Sequence, residues 1–187
     1  MIFTLLLVKS HKVGGYRSCK VTDQKVQYVA DYAKKAVPAF YSAFRKENFD
    51  LTIKRAKYQV VNGYNVQLTC RVKNELFTIT LHCNPPKNLK TVLNFRPTPT
   101  DSLPIAGGWQ WSKADDFIKE NEAAFTKLLA SSNAAPFKTI LAVRSQVVAG
   151  TNYQVIYVDA NDVLHSVTYY QPLNGAKAEI SDIYTVQ

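Results

Sequence analysis

The sequence predicts an α+β protein made of two similar units in tandem, each with one helix packed across a curved antiparallel sheet. Three observations support this prediction: an internal repeat, a helical pattern in each half, and strand patterns joined by short turns after each helix. A segment with three prolines, residues 96–104, separates the halves. Because proline stiffens the backbone, we expect an extended linker there and place the units at residues 1–98 and 99–187.

The repeat consists of two motifs in the same order. Each half has a glycine pair followed by an aromatic residue, at residues 14–16 and 107–109. Each half then has a helical stretch and a strand that ends in Gln-Val-Val-x-Gly, at residues 59–63 and 146–150. The offset is 93 residues at the glycine pairs and 87 at the glutamines, so the second copy is six residues shorter between the motifs. Two ordered matches at a nearly constant offset indicate a repeated unit.

An amphipathic helix pattern follows the glycine pair in both halves. In the first half Asp23 is a suitable N-cap, and Pro38 should kink or end the helix unless it lies in the last turn. In the second half Ser112 is the expected N-cap. The apolar positions recur at helical spacing, and they are Val26, Val29, Ala30, Ala33, Val37, Phe40 and Phe44 in the first helix and Phe117, Ala124, Phe125 and Leu128 in the second.

Four strand patterns follow each helix. Lys73-Asn74 is the expected hairpin turn in the first half, and Asn161-Asp162 is its counterpart in the second. One helix followed by an antiparallel meander is an α+β unit, and about 90 residues can support a modest core. The strand patterns cover residues 51–61, 64–73, 75–83 and 90–96 in the first half and residues 138–148, 153–159, 163–170 and 177–186 in the second.

Charge is distributed unevenly along the chain, whose net charge is +9. Residues 1–100 contain 17 Lys and Arg against 5 Asp and Glu, a balance of +12, whereas residues 101–187 contain 6 against 9, a balance of −3. This asymmetry fits an acidic partner for the first half, attraction between unlike halves, or simply a solvated basic surface. Because the basic residues are scattered and most aromatic residues fit core positions, we expect no nucleic-acid partner.

The cysteines Cys19, Cys70 and Cys83 are odd in number, so they cannot all pair within a monomer. None of their spacings is that of a zinc site or a redox pair. Cys70 and Cys83 lie in neighbouring strand patterns, and the sequence leaves open whether they form a disulfide or remain two buried thiols.

Residues 1–8 are apolar but too few to span a bilayer, and they lack a basic segment in front of them. They fit either the remnant of a signal peptide or a strand that pairs with a sheet edge, including the edge of another molecule. We expect no membrane partner. The compartment stays open, with an extracellular location favoured over a cytoplasmic one.

Three segments of the second half resemble the cystatins, a family of inhibitors of papain-type cysteine proteases. Residues 103–108, Leu-Pro-Ile-Ala-Gly-Gly, are similar to the inhibitory trunk of the family, which ends at a glycine. Residues 146–153 are similar to the first hairpin loop of the intracellular cystatins, the stefins. Residues 171–175 lie where the family has its second hairpin loop. The resemblance implies a cystatin-like fold for this half.

The first half has weaker counterparts of the same segments at residues 12–15, 59–63 and 84–88, so the resemblance covers nearly the whole chain, twice. Neither half has the Pro-Trp pair of the secreted cystatins, and Pro172-Leu173 resembles the stefin version. The first half has Asn62 where the second has Ala149, and its trunk is more charged. We therefore expect the second half to be the better inhibitor.

The resemblance implies reversible, competitive inhibition of papain-like cysteine proteases by a trunk and two hairpin loops placed in the active-site cleft. Such a wedge needs no cofactor, metal or nucleophile; it needs apolar contact, tight turns and preorganised loops that lose little entropy on binding. The implied protease-binding residues are Gly14, Gly15, Gln59, Val60, Val61, Asn62 and Gly63 in the first half and Gly107, Gly108, Gln146, Val147, Val148, Ala149, Gly150, Pro172 and Leu173 in the second.

Two other classes of function are weaker alternatives. An enzyme is not expected, because His11, His82 and His165 are few and scattered, and Cys83 next to His82 on a strand should point to the opposite face. A structural protein remains the main alternative. It would form a homo-oligomer through strand exchange at the first hairpin loop or through residues 1–8.

Overall fold

A computed structural model of the protein describes residues 14–97 and 108–186, and these form an α+β structure with two antiparallel sheets and two α-helices. The first sheet comprises, in spatial order, β1 (Arg17–Cys19), β2 (Thr52–Val61), β3 (Gly63–Val72), β4 (Glu75–Asn84) and β5 (Leu89–Pro97). Helix α1 (Gln24–Phe40) lies between β1 and β2 along the chain. The second sheet comprises, in spatial order, β6 (Gln110–Ser112), β7 (Phe137–Val148), β8 (Gly150–Asp159), β9 (Leu164–Pro172) and β10 (Glu179–Thr185), and its helix is α2 (Ala114–Ser131).

Helix α1 begins at the predicted cap but ends before Phe44, which the predicted helical pattern includes. A side-chain oxygen of Asp23 accepts a hydrogen bond of 2.9 Å from the backbone N–H of Lys25, which caps the first turn. Pro38 lies in the last turn, and the helix ends two residues later at Phe40. Phe44 is buried as expected, but it lies beyond α1 in a short 3₁₀ turn, Ser42–Phe44.

The prediction that Ser112 caps α2 is wrong. Ser112 is the last residue of β6, and Lys113 occupies the capping position without a side-chain hydrogen bond. Asp115 and Asp116 lie in the first turn of α2, where carboxylates interact favourably with the positive end of the helix dipole. Carboxylates in the first turn, and not a capping hydroxyl, therefore stabilise the start of α2.

Ala124 does not lie on the apolar face of α2, contrary to the prediction. Successive residues of a helix are about 100° apart around its axis, so the side chain of Ala124 points well away from that of its buried neighbour Phe125. Ala124 is exposed, and the buried face instead comprises Phe117, Phe125, Leu128 and Leu129.

The eight predicted strands and both predicted turns are confirmed, with strand ends that differ by no more than three residues. Lys73 and Asp162 adopt left-handed backbone conformations in the turns, with φ of 50° and 62°. Strands β1 and β6 were not predicted, because three residues are too few to show a strand period.

Helix α1 lies between the two sheets. One side packs on the first sheet, where the ring of Phe40 stacks on Phe95 with ring centroids 3.7 Å apart. The other side contacts β9, and a single buried cluster joins α1 to Ile156, Val158 and Leu164 of the second sheet. Because α2 packs on the opposite face of the second sheet, the layers follow the order first sheet, α1, second sheet, α2. The two halves thus share one buried cluster, while α2 and the other face of the second sheet form a second cluster.

A buried glutamine makes some of the polar contacts of this junction, beside the ion pair between Arg45 and Asp182. Gln154 is 1% exposed, and its Nε2 donates hydrogen bonds to the carbonyl of Ala39 in α1 (3.1 Å) and to the hydroxyl of Ser166 (2.7 Å). Its Oε1 accepts a hydrogen bond from Arg144, whose guanidinium lies 4.8 Å from the ring centroid of Trp109. Burial lowers the pKa of Arg144 to about 10, so the side chain stays charged at neutral pH.

The question about the cysteines is resolved in favour of free thiols. Cys70 lies opposite Phe77, whereas Cys83 lies opposite Tyr64. The two positions are six residues apart along β3, a separation of about 20 Å at the usual rise per residue. A disulfide requires Cα atoms within about 7 Å. Both thiols are buried, and burial raises the pKa of Cys70 to about 12.

A chain of polar contacts fixes the β8–β9 turn against the last strand. One oxygen of Asp159 accepts hydrogen bonds from the backbone N–H groups of Asn161 (2.8 Å) and Val163 (3.0 Å). Its other oxygen lies 3.0 Å from Nε2 of His165. Nδ1 of His165 lies 3.0 Å from the hydroxyl of Thr185 in β10. This network joins three elements of the second sheet.

We expect Gln154→Met to lower the free energy of unfolding by about 1–3 kcal/mol, because it leaves the buried Ala39 carbonyl and Arg144 without their partner. Urea denaturation followed by circular dichroism measures the change. Gln67→Met is the matched control, since Gln67 occupies the corresponding strand position on the first sheet without contacting a helix. Equal stability of both variants would contradict the role given to Gln154.

We expect Asp159→Asn to destabilise the protein at pH 7 and to have a smaller effect at about pH 2.5. Burial alone would raise the pKa of Asp159, but hydrogen bonds from His165 and two backbone N–H groups outweigh it and lower the pKa. A lowered carboxyl pKa stabilises the fold above the unfolded value of about 3.9, and this contribution is lost as the pH falls through the folded value. Urea denaturation at both pH values tests this. Asp162→Asn, which removes only a half-exposed ion pair with Lys138, is the control.

Candidate functional site

Three segments of the second half meet at one end of the second sheet. Gln110 pairs with Ser145, so the chain before β6, including Gly108, runs beside the end of β7. Gly150 pairs with Pro172, so the β7–β8 hairpin lies beside the end of β9. The register therefore places Gly108 near the end of β7 and Pro172 beside the hairpin glycine, Gly150. Gly107 and the predicted trunk at residues 103–106 lie outside the described residues.

Apolar side chains project into solvent at this end. Val147 is 72% exposed and Val148 is 44% exposed at the end of β7, and Leu173 is 83% exposed just after β9. Ala149 is also exposed at the tip of the hairpin. Clustered apolar side chains that no other part of a protein covers commonly mark an interaction site.

The backbone of this hairpin is held in one conformation. Gly150 has φ of +149°, and a Cβ atom there would overlap the ring of Tyr170, so only glycine fits. The hydroxyl of Tyr170 donates a hydrogen bond to the carbonyl of Ala149. Tyr170 was not among the predicted site residues, because its contact depends on the register of β9 against β8.

A glutamine–asparagine pair lies under the tip of the first hairpin in each half. Asn152 donates a hydrogen bond of 3.1 Å to Gln146, and Asn65 donates one of 2.9 Å to Gln59. The members of each pair are directly opposite in the sheet. Gln59 also donates to the carbonyl of Gly14, which ties the glycine pair to the hairpin. The asparagines were missed, although they repeat at the same 87-residue offset as the glutamines.

The first half has the same arrangement. At its β2–β3 hairpin Val60 is 60% exposed, Val61 is 41% exposed and Asn62 lies exposed at the tip. Gly63 has φ of +102°, and a side chain there would overlap the carbonyl of Cys83, so the hairpin packs directly against the end of β4. The next connection is a 3₁₀ turn, Pro85–Lys87, whose side chains are exposed. Gly15 is also exposed, whereas residues 12 and 13 lie outside the described residues.

The described histidines are occupied by structural contacts. Nδ1 of His82 lies 3.0 Å from the side-chain oxygen of Asn65 on the outer face of the first sheet. Cys83 points into the core, where its thiol faces the carbonyl of Tyr64, so the predicted opposite orientation of these neighbours is confirmed. His165 belongs to the network with Asp159. Within residues 14–97 and 108–186 no group of three or more His, Cys, Asp or Glu residues is arranged to hold a metal ion.

The chemistry available at both sheet ends is recognition by shape and apolar contact. Each end presents exposed valines on a hairpin whose backbone is fixed by a glycine and by cross-strand hydrogen bonds. In the part of the chain that the structure describes, no helix is long and apolar enough to cross a membrane. The predicted pairing of residues 1–8 with a sheet edge concerns residues outside that part.

Comparison with known proteins found no protein-family model that matches the chain and no match among curated proteins. The resemblance to the cystatins therefore remains an expectation from the motif residues of the sequence.

Proposed function

We propose that the protein is a reversible, competitive inhibitor of papain-type cysteine proteases and that each half is a cystatin-like domain. One observation carries the proposal. The exposed Val147 and Val148 lie on a conformationally fixed hairpin, between the segment of Gly108 and the turn after Pro172. An exposed, apolar edge with a fixed backbone suits insertion into an active-site cleft.

The energetics favour binding through this edge. Complete burial of a valine or leucine side chain is worth about 1.5–3 kcal/mol, and Val147 and Leu173 are mostly exposed before binding. The glycine at position 150 and the hydrogen bond from Tyr170 fix the hairpin in advance, so little conformational entropy is lost when a protease binds. A small edge can therefore bind tightly.

The topology supports the cystatin-like assignment of both halves. Each half has a short strand after the glycine pair, one helix, and then four antiparallel strands in a meander. The first sheet ends at Pro97 and the second begins at Gln110, which agrees with the proposed units at residues 1–98 and 99–187.

The second half is the stronger inhibitor in this proposal. Its second turn exposes Leu173, a large apolar side chain, where the first half has the turn Pro85–Lys87 with a lysine. Its first hairpin has the apolar Ala149 at the tip, where the first half has the polar Asn62. Both differences give the second edge more apolar surface for contact with a cleft.

We expect Val147→Asp to raise the inhibition constant against papain about 100-fold, because a carboxylate buried in an apolar contact would stay unpaired. A steady-state assay with the full-length chain measures this. Ile183→Asp is the matched control. Ile183 is also a β-branched apolar residue on a strand, and its side chain is 44% exposed, but it lies on β10 away from the hairpin tips. Equal inhibition constants for both variants, or no inhibition by the folded wild-type chain at micromolar concentration, would refute the proposal.

We expect Gly108→Glu to weaken inhibition about 10-fold or more without unfolding the protein, because a charged side chain would prevent close approach of the trunk to the protease. Gly15→Glu introduces the same side chain at the matching glycine of the first half, where the space around a Cβ atom is open. We expect it to weaken inhibition less than Gly108→Glu does, because the second half is the stronger inhibitor in this proposal. If Gly108→Glu inhibits like the wild-type protein, the trunk of the second half is not part of the site.

Both experiments use the full-length chain. A fragment that begins near residue 100 would lack α1 and would expose the apolar side chains of Ile156, Val158 and Leu164 to water. Loss of inhibition by such a fragment would then report on folding and not on the site.

A further inference from the structure

The outer face of the first sheet, which points away from α1, is polar and basic. In β3 the buried side chains of Val66, Leu68 and Cys70 alternate with Gln67 and Thr69, which point outward. Since directly paired residues in an antiparallel sheet share a face, the register defines the outer rows. One row is Arg55, Thr69, Thr78 and Arg96, and the next is Lys57, Gln67, Thr80 and Asn94.

Four cations lie on this outer face: Arg55, Lys57, Arg71 and Arg96, which together we call the basic face. All four are exposed, and none forms an ion pair with any residue that the structure describes. The two rows contain no carboxylate. The positive charge of the basic face is therefore not compensated locally, and at a protein surface such charge attracts polyanions.

The dimensions of the basic face suit an extended ligand. Arg55 and Arg96 are at opposite ends of one row, three strand spacings or about 14 Å apart. Lys57 is two residues from Arg55 along β2, or about 7 Å. The cations thus surround the hydroxyls and amides of the two rows. A single phosphate or sulfate could contact only one or two of them, whereas a chain of anionic groups could contact all four.

A groove of about 310 Å³ crosses the same face. Its lining includes Tyr16, Thr78, Thr80, Leu93, Asn94 and Arg96, so it is mostly polar with one exposed aliphatic side chain. Hydroxyl and amide groups are suitable hydrogen-bond partners for sugar hydroxyls. Tyr16 is the single aromatic side chain among the groove residues that the structure describes, so the groove offers little base stacking of the kind that single-stranded nucleic acids use.

We propose that the basic face binds a sulfated polysaccharide, with Arg55 and Arg96 contacting sulfate groups and the groove between them contacting the sugars. The charge pattern fits a polyanion, and the mostly polar groove with one aromatic residue favours a sugar chain over a nucleic acid. The site is separate from the hairpin tips at the end of the sheet, so it does not depend on protease inhibition. The excess of positive charge in the first half would then serve to bind this ligand.

The test measures binding of the full-length protein to heparin at about 0.15 M salt by calorimetry. Arg55→Gln combined with Arg96→Gln removes two charges from the basic face. Lys34→Gln combined with Lys35→Gln removes two charges from exposed positions on α1 in the same half and is the matched control. We expect the first variant to weaken binding at least 10-fold and the control to change it less than about 3-fold. The dependence of log Kd on log salt should also be shallower for the first variant, by roughly one unit per lost ionic contact.

Three results would overturn the proposal. The first is absence of heparin binding by the wild-type protein. The second is an equal loss of binding in both double variants, which would show attraction by net charge without a site. The third is tighter binding of a single-stranded oligonucleotide of equal charge, which would identify the ligand as a nucleic acid. Circular dichroism and papain inhibition by both variants confirm that a loss of binding does not come from unfolding.

Discussion

The position of α1 between the two sheets is the constraint on which the rest of the structure depends. A helix covered on both sides must be apolar all round at the covered end, and Ala36, Val37, Pro38, Ala39 and Phe40 are all buried. The second sheet must in turn be apolar on both faces, because it lies between α1 and α2. The backbone carbonyl of Ala39 is satisfied from the second sheet by Gln154, so this buried polar contact also links the two halves.

The sequence predicts the individual elements well, because helical and strand periods are local properties. It also contains a signal for the layers that the element predictions did not use. In β8 four consecutive residues, at positions 155–158, are apolar and buried, which is typical of a strand covered on both faces. In β3 apolar and polar residues alternate, which is typical of a strand with one solvated face. Which partner covers the second face of β8 is decided by contacts more than a hundred residues apart in sequence, such as that between Gln154 and Ala39.

The candidate site was predictable where it depends on backbone conformation and on apolar side chains. Gly63 and Gly150 adopt positive φ, and the valines of both hairpins are exposed as a binding edge requires. Asn65, Asn152 and Tyr170 were not predicted, since their roles follow from which residue lies opposite them in the neighbouring strand. Polar side chains on strands make contacts that depend on register, and a one-residue shift would place each of them on the other face.

The two sheets differ at matching positions, and this difference limits how many units can stack. At the 87-residue offset Gln67 corresponds to Gln154, but Thr69 corresponds to Ile156 and Arg71 to Val158. The same face is thus a solvated surface in the first copy and an interior in the second. In repeat proteins the terminal units carry a polar outer side that stops further growth of the array. The outer face of the first sheet is polar in this way. The outward side of α2 is also polar, and Glu122 and Thr126 are exposed there. Addition of a third copy at either end would therefore require new apolar residues at these positions.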